Sequence, residues 1–142
     1  MLDENKQLVT TDYAALKAWC LTQPAPKQHA LKAFIAYLSQ ERTAHNLKYK
    51  TKTPFYKSRS SYGLKHVVER LSDALGDHEY VSNENFIVAM LQAGFRIQNE
   101  CEKNRGEYRY MLSPNYLFDI KPIKIEKELV SLIAQGVREG KY

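Results

Sequence analysis

The sequence predicts an α+β fold, on three observations. Apolar residues recur at helical spacing in five stretches, a short alternating pattern replaces that spacing between residues 95 and 120, and Gly76, Gly94 and Asn104-Arg-Gly106 fall between the elements as turn signals. The 142 residues suffice for one domain with a helical appendage, and 44% hydrophobic content is enough to form a core.

Thr11 is an N-cap candidate for a first helix beginning at Asp12, with Leu16, Trp19 and Cys20 as its apolar stripe. Pro24-Ala-Pro26 ends that helix and opens a second, from about Pro26 to about Thr43, whose inner face is Leu31, Phe34, Ile35 and Leu38. The short connection predicts an antiparallel helical hairpin over residues 1–44, with Trp19 as its aromatic anchor and as a hot spot if two copies pair.

Residues 45–61 show neither helical nor strand periodicity, and Thr53-Pro54 breaks any helix, so this stretch reads as a basic linker. Leu64, Val67, Val68, Leu71 and Leu75 then give the strongest amphipathic signal, ended by Gly76. Ser82 caps the next helix, with Phe86, Ile87, Met90 and Leu91 inward and Gly94 as its stop.

Phe95 to Asn99 alternates as a strand does. Asn104-Arg-Gly106 is the turn, Tyr108 to Leu112 the returning strand, and Tyr116 to Ile120 a further strand. Pro122 opens a last helix carrying Ile125, Leu129, Leu132 and Ile133, and Gly136 and Gly140 loosen the tail.

Over residues 62–142 the order is helix, tight turn, helix, β-hairpin, helix, which is the order of a winged-helix-like domain. Residues 83–93 then become the recognition helix, with Asn83, Glu84, Asn85, Val88, Ala89 and Gln92 facing solvent. That face has no Lys or Arg, so the cations of the wing, Arg96, Lys103, Arg105 and Arg109, are the better phosphate contacts.

Charge gives the functional signal. From Arg42 to Val68 there are 27 residues without a carboxylate, containing Arg42, Lys48, Lys50, Lys52, Lys57, Arg59 and Lys65, against a formal net charge of +5 for the whole chain. Tyr49, Phe55, Tyr56 and Tyr62 lie between these cations. Such a segment favours a polyanion, because neutralising phosphates releases condensed counterions, while tyrosines stack on unpaired bases.

The expected function is non-enzymatic nucleic-acid binding. Lys48, Lys50, Lys52, Lys57, Arg59 and Lys65 contact phosphate, Tyr49 and Tyr56 stack, and Arg96, Arg105 and Arg109 add wing contacts. The alternative is a protein-interaction module whose patch meets an acidic protein surface and inhibits a host complex, such as a nuclease-based defence system.

Other chemistries find little support. Cys20 and Cys101 have no partner spacing, so neither a disulfide nor a metal site is expected, and His66 with Glu69 reads as a helical ion pair. No phosphate-binding glycine loop, nucleophile elbow or zinc signature occurs, and Asp73, Asp77, His78 and Glu79 cluster at a helix end where solvated charge is normal. No cofactor is expected. The polar N-terminus and the lack of a ~20-residue apolar run predict a cytoplasmic protein without membrane insertion.

Ser61-Tyr62-Gly63-Leu64-Lys65-His66, Tyr80-Val81-Ser82-Asn83 with Phe86-Ile87, Gly94-Phe95 and Ser113-Pro114-Asn115 resemble a pattern in small uncharacterised prophage and integrative-element proteins. The resemblance spans about residues 61–115 and implies a phage or mobile-element setting. It carries no activity that transfers to particular residues.

Overall fold

Leu16 and Cys20, one turn apart and both fully buried, set the inner face of the first helix, α1 (Tyr13–Thr22). The computed structural model describes residues 13–50, 60–99, 116–121 and 123–142. Thr11, Asp12, the turn at 104–106 and the returning strand at 108–112 lie outside them.

The second helix, α2 (His29–Tyr49), starts after the proline pair and runs six residues past the expected end at Thr43. Nothing in 44–49 opposes helix, and His45 continues the inward stripe of Leu31, Phe34 and Leu38. The helix stops at Lys50 in the left-handed conformation (φ 52°), whose N–H donates to Asn46 O at 2.8 Å. The first part of the basic segment is therefore helical, contrary to the linker reading.

The third helix, α3 (Ser61–Ala74), buries Leu64, Val67, Val68 and Leu71 completely. Its chain reversal uses Gly76 (φ 83°), with Asp77 N–H donating to Ser72 O and Gly76 N–H to Asp73 O. The fourth helix, α4 (Asn83–Gln92), is capped by Ser82 Oγ, which accepts from Asn85 N–H at 3.0 Å. Gly94 (φ 88°) terminates it, and Phe95 N–H reaches Met90 O at 3.1 Å in a Schellman closure.

The last helix, α5 (Glu126–Arg138), begins four residues after Pro122 and buries Ile133, Ala134 and Gly136. Ile125 and Leu132, expected inward, are exposed. Gly136 does not loosen the tail: it sits inside the helix, and a Cβ there would lie 2.3 Å from the Tyr142 ring.

The expected α+β class with a winged-helix core is overturned, because the architecture is helical. Helices α1 to α5 supply most of the core, and one buried cluster joins Leu16 and Cys20 of α1 to Phe34, Leu71, Phe86 and Ile133. Strand among the described residues amounts to one three-residue antiparallel pairing of β1 (Ile97–Asn99) with β2 (Tyr116–Phe118), Ile97 opposite Phe118. A pairing that short clips two chain segments together and forms no sheet layer. The alternation at 95–99 finds a partner in 116–118.

Helix α4 carries the second half of the correction. Phe86 through Leu91 are all buried, including Val88 at 4% and Ala89 at 6% exposure, both expected to face solvent. Helix α1 packs on α4, and α2 and α3 hold other sides of it. Gln92 Nε2 is spent on Cys20 O at 3.0 Å and Gln23 O at 2.8 Å. A helix enclosed in this way cannot enter a DNA groove. The N-terminal hairpin is modified accordingly, since α1 has α4 as its principal neighbour.

Candidate nucleic-acid interface

The last turn of α2 places Lys48, Tyr49 and Lys50 at the surface together, all three exposed. Lys48 Nζ lies 5.2 Å from the Tyr49 ring centroid, and the inner edge of that ring meets His45 at 4.8 Å between centroids. The ring is thus held from one side while half of its surface remains open. Leu47 beside it is 75% exposed. Tyr62, in the first turn of α3, is also exposed.

Two expected contacts are engaged within the protein. Lys65 is 4% exposed: its ammonium sits 5.1 Å from the Tyr62 ring and 4.7 Å from the Tyr80 ring, with Glu69 Oε1 at 3.4 Å. Cation–π attraction and a carboxylate compensate for its burial. Arg96 Nε donates to Asp119 Oδ2 at 3.1 Å, and Arg96 N–H donates to Asp119 Oδ1 at 2.9 Å. Asp119 is buried, so this carboxylate ties the start of β1 to the end of β2. Lys52, Tyr56, Lys57, Arg59, Arg105 and Arg109 lie outside the described residues, as does Lys103.

The titratable groups elsewhere form local pairs. His66 Nδ1 is 2.9 Å from Glu69 Oε1, as the spacing predicted, and His78 pairs with Asp73 at 2.9 Å and His29 with Asp77 at 3.3 Å. Among the described residues no cluster of His, Cys, Asp and Glu could hold a metal ion. Burial, with a smaller contribution from the Glu84 carboxylate, pushes the Cys20 thiol up to about 12, so it is a packed apolar group and not a nucleophile.

A cavity of about 440 Å3 that helical periodicity does not reveal lies between α2, the 119–125 segment and α5. Its only sequence signal is that Ile120, Ile123 and Ile125 form an apolar run beside Lys121 and Lys124.

No described helix is long and apolar enough to cross a membrane. Comparison with protein-family models, with curated proteins and with solved structures gives no significant match.

Proposed function

We propose that this chain is a non-enzymatic nucleic-acid-binding protein that holds phosphate with the C-terminal turn of α2 and the acid-free segment following it. The supporting observation is the joint exposure of Lys48, Tyr49 and Lys50 where that segment begins. Two cations adjoin a half-exposed ring in sequence, the combination that tracks a backbone and stacks an unpaired base. Lys52, Lys57 and Arg59 extend the same charge along the sequence without an intervening carboxylate. With α4 enclosed, this reading depends on backbone contact and stacking, with no helix in the groove. The mobile-element setting remains part of the proposal on the sequence resemblance alone.

The test is fluorescence anisotropy with labelled single-stranded and duplex DNA and RNA across a salt series. Binding whose log K falls against log salt, with a slope made shallower by about 0.7–0.9 for each phosphate-contacting lysine removed in Lys48→Ala and Lys50→Ala, supports the reading. Absence of binding to every strand at low salt rejects it.

A further inference from the structure

The cavity between α2 and α5 has the size and lining of a ligand site unconnected with nucleic acid. Its walls are aliphatic: Leu38 from α2, Ile120, Ile123 and Ile125 from the connecting segment, and Leu129 and Leu132 from α5. At about 440 Å3 it lies within the range of about 300–1,000 Å3 usual for small-molecule sites. Ile125 and Leu132 stand at its mouth with more than half their surface in water, an exposure that an apolar occupant would relieve.

Polar groups converge on the same space. Arg42, Lys121 and Lys124 line it, and among the described residues none of the three has a carboxylate at ion-pair distance. Of the acids in the lining, Asp119 is taken by Arg96, which leaves Glu41 and Glu128 against three cations. His45 also lines the cavity. It is 8% exposed, and its Nδ1 is buried without a hydrogen-bond partner among the described residues.

We infer that this cavity binds a small aliphatic carboxylate, with the chain against the isoleucine and leucine walls and the carboxylate at Lys121 and Lys124. An aliphatic wall selects for a flexible hydrocarbon over a flat ring, and the surplus cation selects the sign of the head. Lys121 and Lys124 are exposed and set charge preference, whereas the walls set chain length.

The experiment is isothermal titration of the full chain with hexanoate, octanoate and decanoate at constant ionic strength, with octylamine and octanol as head-group controls. The expected result is saturable one-to-one binding that tightens about fourfold per methylene, with octylamine at least tenfold weaker than octanoate. Leu132→Glu, at an exposed position that leaves the core intact, weakens octanoate at least tenfold. Lys121→Glu with Lys124→Glu reverses the preference toward octylamine. Far-ultraviolet circular dichroism and thermal melts establish that both variants are folded. Absence of saturable binding overturns the proposal. So does chain-length dependence unchanged by Leu132→Glu, or octylamine binding as tightly as octanoate.

Discussion

The guanidinium carbon of Arg42 lies 4.0 Å from the centroid of the Phe95 ring, and Arg42 Nη2 donates to Ala93 O at 3.1 Å. One side chain from the middle of α2 thus satisfies a terminal carbonyl of α4 and covers the aromatic residue that closes its Schellman turn. Arg42 begins the acid-free stretch, yet its work here is structural. A planar group can stack and donate in the same pose, which an ammonium cannot do.

Arg42→Ala is accordingly expected to lower unfolding free energy by about 2–3 kcal/mol, the sum of a charged hydrogen bond and a partly desolvated cation–π contact. Arg42→Lys keeps the charge and recovers less than half of the loss. Urea denaturation monitored by circular dichroism measures both.

Asp119 and Arg96 give an asymmetric prediction. The carboxylate is buried while the Arg96 side chain is 38% exposed, so loss of the acid strands the Arg96 N–H inside and loss of the guanidinium strands less. Asp119→Ala is expected to cost about 2–3 kcal/mol and Arg96→Ala about 1 kcal/mol, with a coupling near 1 kcal/mol in the double-mutant cycle. Equal costs for the two single changes would contradict this account.

The effect of Gly136→Ala should depend on its context. Alanine there collides with the Tyr142 ring, which also makes an edge contact with Tyr37 at 6.3 Å between centroids. Gly136→Ala is therefore close to neutral in the parent, where a displaced aromatic contact of about 1 kcal/mol is set against a similar gain in helix propensity. In a Tyr142→Ala background the clash is gone and helix propensity dominates, so the same change stabilises by up to about 1 kcal/mol. Thermal melts of the four proteins decide the matter.

Alkali should unfold the protein through the buried Cys20 and the half-buried Tyr37. Cys20 is raised to about 12, by burial and then Glu84; Tyr37 is raised as well, by burial, then Glu41, then Tyr142. Each is held neutral in the fold, so the unfolded chain ionises first as pH rises. The stability from Cys20 is complete below its unfolded value of 9.0 and declines by about 1.4 kcal/mol per pH unit from there toward 12. Denaturant midpoints at pH 8, 9 and 10 should fall in that order, and Cys20→Ala should flatten the decline. In a Cys101→Ser background, a thiol reagent should label Cys20 only after unfolding.

Much of the helical layout was legible in the residues. Ser82 as a cap, Gly76 and Gly94 as stops, and the stripe from Leu64 to Leu71 act within a few residues of themselves, so local chemistry fixes them. The end of α2 was not legible, because 44–49 lacks an apolar repeat and only the burial of His45 explains its continued winding. Helix α4 was misread for the opposite reason. Phe86-Ile-Val-Ala-Met-Leu91 is apolar all round, the mark of an enclosed helix, but assigning it one wet face turned Val88 and Ala89 outward. Which segment covers that face is a long-range matter, and Gln92 bonding to Cys20 O spans 72 positions.

As for the candidate interface, the charge gap singled out Lys48, Tyr49 and Lys50, which the structure places at the surface. It had no means of separating them from Lys65, nor the wing order of discounting Arg96, since burial by Tyr80 or pairing with Asp119 leaves no trace in the spacing of cations.

The enclosure of α4 has a consequence for how this protein breathes. Its backbone amides lie at the centre, with α1, α2 and α3 each covering part of them. Local fraying at the end of α2 or at the start of α5 leaves them shielded, so their protons reach solvent only when the neighbouring helices separate together. The segment that first looked like the part of the chain made to touch a partner is the one that sets the cooperativity of the whole, while the end of α2 can move without cost to it.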